Sequence, residues 1–261
     1  MSDANEGQVH CTVEGAVAHV VFDRVAAHNA MTWRMYEQLE EICERVARQR
    51  EIRAVTFRGA GGRAFVAGTD IQQFLAFSTA EDGVEYERRI ETVLGKVDSL
   101  PVPTLAIVDG WCVGGGLAIA ACCDLRISTP LAKFGVPIAR TLGNCLAIRN
   151  TARLAAEFGI GPAKRMLLLG EMLSAAQAQT AGFVTDVVEA DEIDARAAAI
   201  VERLTQNAPL TMRVSKESIA RMLAALPLEG DDLVRLCYGS DDFRRGVQAF
   251  VDKRTPEWSG S

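Results

Sequence analysis

The segment TLAIVDGWCVGGGLAIAACCD, residues 104–124, joins a short apolar run to a longer one through a glycine-rich turn. Residues 104–108 predict a strand, because they are short, apolar and preceded by Pro101 and Pro103. The turn runs straight into a helix predicted over residues 117–123. Such a turn places free backbone N–H groups at the positive end of a helix, where a negative oxygen is stabilised. The segment therefore indicates an α/β fold with a candidate anion-binding loop.

A second loop of the same kind precedes this segment in the chain. Residues 66–70, Val-Ala-Gly-Thr-Asp, open a helix in which Asp70 and Gln73 resemble a capping box. Glycine lacks the Cβ that would keep a ligand away from the backbone donors. Two such donors that converge on one point form an oxyanion hole. Taken separately, each loop is also compatible with a purely structural turn.

Short strands and helices alternate over most of the chain. Strands are predicted over residues 16–22, 52–57 and 125–128, and Thr32 caps a helix with an apolar stripe. Ser174 caps a short helix that Gly182 ends, and residues 183–188 are predicted as a further strand. Beyond residue 190 the pattern predicts only helices, with Pro209 in a first helical turn. This alternation defines an α/β protein with a helical tail.

The overall composition narrows the class of protein. The chain has 261 residues, 49% of them hydrophobic, and a net charge of −6, which argues against nucleic-acid binding through a basic surface. Its seven cysteines form no C-x-x-C pair, which predicts reduced thiols and no metal site. The N-terminus is polar and acidic, and no apolar run is long enough to span a bilayer. We therefore expect a cytoplasmic protein without a membrane segment.

Six stretches of the sequence occur in the order and spacing of a known family. They resemble motifs of the enoyl-CoA hydratase/isomerase (crotonase) superfamily, and the resemblance runs from about residue 9 to residue 258. It implies the family's spiral of ββα units, followed by a helical C-terminal region used in trimerisation. The chain is thereby divided into an acyl-CoA-binding core, residues 1–206, and an oligomerisation region, residues 207–261. The stretches are Phe22-Asp23-Arg24 with Asn29-Ala30, residues 64–71, residues 110–124, Phe134-Gly135-Val136-Pro137, residues 170–184 and residues 249–254.

The resemblance also implies a ligand and the residues that bind it. The ligand is an acyl-CoA thioester, with no other cofactor and no metal. By position, the backbone N–H groups of Thr69 and Gly115 hold the thioester oxygen. Lys253 approaches the CoA phosphates from a neighbouring subunit of a homotrimer or a dimer of trimers, where an ammonium group suits a phosphate. Further contacts with CoA are expected from Ala26, Ala27, His28 and Ala67.

Two positions depart from the family's pattern. Hydratases of the family deliver and orient water with two glutamates, and the matching residues of this chain are Ala118 and Ile138. Neither side chain can transfer a proton, and such a group typically contributes ~10²–10⁴-fold to the rate. We therefore expect the chain to bind short enoyl-CoAs but to hydrate them slowly.

Side chains that could take over the role of the missing glutamates are expected first in residues 138–145. This stretch is one residue longer than the usual family loop. Arg140 could bind a second carboxylate of the acyl group, although a surface arginine is the simpler interpretation. Asn144 could orient a water or a carbonyl. Cys145 could act as a nucleophile, but no histidine lies near it in the sequence and buried structural thiols are common.

Two features outside this loop are also candidates. The acidic residues 81–91 predict a solvated helix face, but a carboxylate from this segment could enter the pocket. Tyr238, in the tail, could reach the site of a neighbouring subunit.

Three hypotheses of function follow. The leading one is an enzyme that binds an acyl-CoA and stabilises its thioester enolate, classed with the enoyl-CoA hydratases and isomerases. The second is a CoA-thioester-binding protein with little or no catalysis, which the missing glutamates favour. The third is a decarboxylase or hydrolase of the same family that uses other residues. Binding and turnover measured over a panel of acyl-CoAs would separate the three.

Overall fold

The protein is described by a computed structural model over residues 6–225 and 228–260, which form two β-sheets and a set of surrounding helices. The strands are β1 (Gln8–Glu14), β2 (Val17–Asp23), β3 (Ala54–Gly59), β4 (Ala64–Val66), β5 (Thr104–Val108), β6 (Trp111–Val113), β7 (Leu125–Ser128), β8 (Lys133–Gly135), β9 (Met172–Ser174) and β10 (Asp186–Val187). The α-helices are α1 (Trp33–Arg48), α2 (Ala80–Asp98), α3 (Gly115–Cys122), α4 (Ile138–Thr141), α5 (Ile148–Phe158), α6 (Ile160–Leu168), α7 (Ala175–Thr180), α8 (Ile193–Gln206), α9 (Pro209–Ala224), α10 (Asp231–Tyr238) and α11 (Asp241–Val251).

From β3 to β8, consecutive strands alternate between the two sheets. The first sheet has the order β1-β2-β3-β5-β7-β10 and the second the order β4-β6-β8-β9. The pairs β3–β4, β5–β6 and β7–β8 each place one strand in either sheet before the chain enters α2, α3 and α4, respectively. The predicted spiral of ββα units is confirmed.

Five strands, β1, β4, β6, β8 and β9, were not predicted from the sequence, and another strand was predicted too long. β1 was not predicted, yet it pairs antiparallel with β2 along its whole length, although Val9 is its only buried residue. The strand expected over residues 183–188 is limited to Asp186–Val187. The reason is that the N–H groups of Phe183 and Val184 donate to the Ala178 carbonyl at the end of α7, at 3.0 and 3.3 Å.

Helix α1 has the predicted cap and packs its apolar stripe inward. The Thr32 side chain accepts a hydrogen bond from the N–H of Met35. The buried residues of α1 recur at helical spacing and belong to the main apolar core of the molecule. They are Met35, Tyr36, Leu39, Ile42, Cys43 and Val46.

The helical tail divides into two parts with different surroundings. Val234 and Tyr238 of α10 and Phe243 and Val247 of α11 are buried in the same apolar core as the sheets. Helix α9, in contrast, leaves several large apolar side chains exposed to solvent. None of the described helices is long and apolar enough to cross a membrane.

Candidate active site

A cavity of about 500 Å³ lies where the two glycine loops meet α2, α4 and α11. It brings together residues from the loop after β2, the loop after β4 and the start of α3, which are far apart in the sequence. The residues predicted from the sequence that line it are Ala27, His28, Ala67, Thr69, Gly115, Ala118, Ile138 and Asn144.

The two glycine loops approach each other closely in the wall of this cavity. Gly68 and Gly114 have positive φ angles of 105° and 53°, a conformation that favours glycine. A Cβ on Gly114 would lie 3.7 Å from the Cα of Gly68, and one on Gly115 would lie 3.2 Å from the Oγ1 of Thr69. Within residues 6–225 and 228–260, the N–H groups of Thr69 and Gly115 donate to no other residue. Both amides are therefore available to a ligand oxygen.

Two tyrosine hydroxyl groups lie next to Thr69 and hold its side chain. Its Oγ1 is 2.8 Å from the Oη of Tyr36 and 2.9 Å from the Oη of Tyr86. Burial raises the pKa of both tyrosines well above its ordinary value, so the two phenols stay neutral. A Cβ on Gly115 would lie only 2.6 Å from the Oη of Tyr36, so this position has no room for a side chain.

The segment after Thr69 does not form the predicted capping box. The Asp70 carboxylate accepts the N–H of Gln72 at 3.1 Å and lies 2.8 Å from the guanidinium of Arg24. The Gln73 side chain instead bridges to α1, since it accepts the N–H of Trp33 at 2.8 Å and donates to the Met31 carbonyl at 3.1 Å. The helix expected from Asp70 is a 3₁₀ helix, Ile71–Ala76.

The predicted CoA-binding residues are only partly in the cavity wall. Ala27 and His28 lie beside Ala67, and the Ala67 N–H donates to the His28 carbonyl at 3.0 Å. Ala26 belongs to the same short 3₁₀ helix but is not among the lining residues. Lys253 lies after α11 and outside the cavity of its own chain, so its expected role stays a prediction about the neighbouring subunit.

The two positions without glutamates both line the cavity. Ala118 is buried on α3, two residues after the triple glycine, and Ile138 is the first residue of α4. The wall is apolar at both points, and neither side chain offers a proton donor or acceptor.

A buried carboxylate enters the cavity from α2. Glu87 is only 5% exposed and lines the cavity, whereas the predicted solvated face applies to its neighbours Glu81 and Glu85. Its Oε2 accepts the N–H of Ala147 at 2.8 Å, and its Oε1 accepts the hydroxyl of Tyr238 at 2.8 Å. Burial raises the pKa of the Glu87 carboxyl to about 7, because the two hydrogen bonds offset only part of the desolvation.

The sequence contains a signal that would have found Glu87. It stands three residues from Val84 and three from Ile90, and all three side chains are buried on the inner face of α2. A glutamate inside the apolar stripe of an amphipathic helix is unusual, because burying a charge is costly.

The Tyr238 side chain is buried in its own chain, so the suggestion that it could reach the site of a neighbouring subunit is wrong. Its hydroxyl donates to Glu87 and accepts the side-chain N–H of Asn144 at 3.2 Å, and its ring is buried among Phe74, Tyr86 and Phe243. This aromatic cluster fixes α10 against α2. Asn144 therefore faces the cavity and also steadies Tyr238.

Arg140 and Cys145 have no place in the cavity wall. Arg140 is exposed, in agreement with its simpler interpretation as a surface residue. A hydrogen bond to Cys237, together with burial, raises the pKa of the Cys145 thiol and disfavours the nucleophilic thiolate. Among the described residues, no group of three His, Cys, Asp or Glu side chains is arranged to hold a metal ion.

Nearly the whole chain is similar to known proteins. The family described as Enoyl-CoA hydratase/isomerase matches residues 12–261. A short-chain-enoyl-CoA hydratase of Clostridium acetobutylicum is 32% identical over 249 residues, which cover 94% of this chain and 94% of that protein. An (E)-benzylidenesuccinyl-CoA hydratase of Thauera aromatica is 32% identical over 254 residues, which cover 95% of this chain and 98% of that protein.

A solved structure shows the same architecture. An enoyl-CoA hydratase/carnitine racemase from Magnetospirillum magneticum has a TM-score of 0.80 and 35% identity, over 97% of this chain and 96% of that one. The chain therefore belongs to the enoyl-CoA hydratase/isomerase (crotonase) superfamily, in agreement with its sequence motifs. Membership defines the fold and the class of enzyme, while the reaction depends on the residues in the cavity.

Proposed function

We propose that this chain binds an acyl-CoA thioester and stabilises its enolate, with the thioester oxygen held by the N–H groups of Thr69 and Gly115. The observation that carries the proposal is that two amides with no hydrogen-bond partner in the described part of the chain meet in one cavity wall. When a proton leaves the carbon next to a thioester carbonyl, the negative charge accumulates on the carbonyl oxygen. A preorganised donor at that oxygen is worth roughly 3–4 kcal/mol of transition-state stabilisation.

The proposed reaction is proton transfer next to the thioester, with slow hydration. Ala118 and Ile138 give the wall an apolar surface where the family's hydratases carry glutamates, so ordered delivery of water has no support at these positions. An enolate pathway still has its oxyanion hole. This favours an isomerase-like or related enolate reaction over ordinary hydration.

The rest of the proposal concerns CoA and its environment. Ala27, His28 and Ala67 line the cavity and would contact CoA together with Ala26, and a neighbouring subunit of a trimer would contribute Lys253. Coenzyme A enters as part of the substrate, and no further cofactor is required. A cytoplasmic location suits the reduced thiols.

A comparison of two substitutions at Gly115 tests the oxyanion hole. Gly115→Ala and Gly115→Pro add the same Cβ, which would lie 2.6 Å from the Oη of Tyr36, but only proline removes the N–H. Proline is also tolerated at the first position of a helix, which Gly115 occupies in α3. We expect the proline variant to lose about 10²–10³-fold more activity than the alanine variant.

The measurement is exchange of the α-protons of but-3-enoyl-CoA in D₂O, followed by NMR, with circular dichroism as the check of folding. Equal exchange rates in two folded variants would show that the Gly115 amide does not hold the oxyanion. Binding of acyl-CoAs by the wild-type protein without any exchange would favour the alternative of a CoA-thioester-binding protein.

A further inference from the structure

Glu87 is the acidic side chain of the cavity that is not engaged with a cation. Among the described residues that line the cavity, two are acidic, Asp70 and Glu87. The Asp70 carboxylate is held by Arg24 and by the N–H of Gln72. The partners of Glu87 are a backbone amide and a tyrosine hydroxyl, so each carboxylate oxygen keeps a second lone pair that can accept a proton.

The surroundings of Glu87 form a directed chain of hydrogen bonds. The side-chain N–H of Asn144 donates to Tyr238, and Tyr238 in turn donates to Oε1 of Glu87. The Ala147 N–H fixes Oε2 at the same time, so the carboxyl group has one orientation at the cavity wall. The residue before it, Tyr86, is hydrogen-bonded to Thr69, which links α2 to the proposed oxyanion hole.

We propose that Glu87 is the general acid–base of this site, in place of the carboxylates that Ala118 and Ile138 do not supply, and that Tyr238 and Asn144 position it. This inference rests on the proposed function, because the proton that Glu87 removes must leave an enolate held by Thr69 and Gly115. The substrate class is a 3-enoyl-CoA, since one carboxyl group suffices to move its double bond.

The proposed step is balanced without any other reactant. The Glu87 carboxylate takes a proton from Cα of the 3-enoyl thioester, and the C–H electron pair enters a conjugated dienolate. Its negative charge lies on the thioester oxygen, at the two amides. The neutral Glu87 then returns the proton to Cγ, the double bond moves between Cα and Cβ, and the carbonyl is restored. The product is a 2-enoyl-CoA, and the carboxylate is regenerated.

The pH dependence follows from the need for an ionised base. Because burial raises the pKa of Glu87 to about 7, we expect kcat/KM to rise with pH and to level off above about 7. Tyr238→Phe removes a donor to the ionised form, so the midpoint of the profile should move to higher pH.

Other titratable and charged groups near Glu87 are distinguished by control variants. Glu91 is paired with Arg153 at 3.2 Å, and burial keeps the neighbouring tyrosines neutral. Cys237→Ser tests the remaining thiol and should leave the midpoint unchanged. Glu87 also lines a second cavity, which lies between α2, the start of α5 and the start of α10. The titratable and charged groups that face Glu87 or line this second cavity are Tyr36, Tyr86, Arg88, Glu91, Cys145, Arg149, Glu229, Asp231, Asp232, Cys237 and Tyr238.

The decisive comparison uses two glutamates of one helix. Glu87→Gln should lower the conversion of but-3-enoyl-CoA to crotonyl-CoA by about 10²–10⁴-fold. Glu85→Gln, on the exposed face of α2, removes the same charge outside the cavity and should keep full activity. Conversion is followed by the absorbance of the conjugated thioester, and acyl-CoA binding by calorimetry.

A second variant separates catalysis from folding. Glu87→Ala leaves a space where the carboxyl group was, and added formate should restore part of the activity only if a carboxylate acts at that place. Restoration by formate, with binding retained, supports the assignment, and an active Glu87→Gln variant overturns it.

Failure of this inference is distinguishable from failure of the proposed function. If Glu87→Gln keeps activity while Gly115→Pro loses it, the oxyanion hole stands and Glu87 is not the acid–base. If the wild-type protein binds acyl-CoA but exchanges no proton, the assignment of Glu87 as an acid–base is overturned together with the enolate reaction.

Discussion

At the scale of single residues, Glu87 lowers the stability of the folded protein whenever it is ionised. Its pKa is raised from 4.5 to about 7 by burial, so the folded state favours the protonated form. The stabilising contribution is complete below pH ~4.5 and is lost as the pH rises through about 7. The loss is on the order of 3 kcal/mol, at 1.36 kcal/mol per pKa unit.

Glu87→Gln should therefore gain stability over the wild-type protein as the pH rises. A glutamine does not titrate, so a constant packing effect of the substitution cancels when two pH values are compared. Urea unfolding of both proteins at pH 5 and pH 8 measures the change in their difference. A difference that is the same at both pH values would mean that Glu87 is not buried as a titrating group.

The absence of glutamates at positions 118 and 138 gives a second prediction at the scale of single residues. The wild-type protein should hydrate crotonyl-CoA at least ~10⁴-fold more slowly than a hydratase with both carboxylates, although the loss is smaller than the product of two independent effects. Ala118→Glu with Ile138→Glu should hydrate faster than either single variant, because both positions line the cavity.

The matched control is Ala118→Gln with Ile138→Gln, which has the same size and no acid–base group. The assay is the loss of enoyl-thioester absorbance. Fast hydration by the wild-type protein would assign hydration to a carboxylate elsewhere, and Glu87 would be the first to test.

The sequence and the family resemblance assigned the backbone groups of the site to single residues, but they narrowed its carboxylate only to residues 81–91. The family resemblance assigned Thr69, Gly115, Ala118 and Ile138 to the site by position, and all four line the cavity. The contact between Glu87 and Tyr238 joins residues 151 apart and depends on how α10 packs on α2. No local pattern encodes such a contact.

At the scale of elements, helix α2 contains Glu87, the proposed acid–base, and two glycines in different surroundings. A Cβ on Gly83 would lie 2.2 Å from the ring of Tyr238, so this glycine allows α10 to approach. A Cβ on Gly95 would meet nothing within 4 Å. The same substitution at the two positions therefore separates close packing from helix propensity.

Gly83→Ala should destabilise the protein by about 1–3 kcal/mol through overpacking, and should also lower activity by displacing Tyr238 from Glu87. Gly95→Ala should stabilise it by about 0.5–1 kcal/mol, since alanine is the better helix former. Thermal unfolding and the isomerisation assay measure both effects. A Gly83→Ala variant as stable and active as Gly95→Ala would contradict the packing of α10 on α2.

Elements with a local signal were predicted more closely than those set by their neighbours. The strand Thr104–Val108 and the Ser174 cap follow from apolar runs and capping residues that need no partner. The capping box at Asp70 was wrong because Arg24 and α1 recruit the two side chains. The strand over residues 183–188 was too long because α7 uses the first amides.

At the scale of the whole molecule, the order of the motifs carried the family resemblance, and the resemblance implied the spiral fold. What the order could not show is that α10 and α11 complete the wall and core of their own chain, while α9 does not. Helix α9 and the outer side of α10 expose apolar side chains that are typical of an interface. They are Leu210, Val214, Ile219, Met222, Leu233 and Leu236.

We expect these side chains to be buried between subunits in a trimer or a dimer of trimers. Val214 is 62% exposed on α9, and Val13 is 48% exposed on β1, so the two valines form a matched pair. Val214→Glu should place a charge in the interface and lower the mass measured by light scattering at micromolar concentration, whereas Val13→Glu should leave it unchanged. The dissociated Val214→Glu variant should also bind acyl-CoA more weakly, because Lys253 would no longer reach the CoA phosphates of its neighbour. A wild-type protein that is monomeric at this concentration would contradict the assembly and remove the shared role of Lys253.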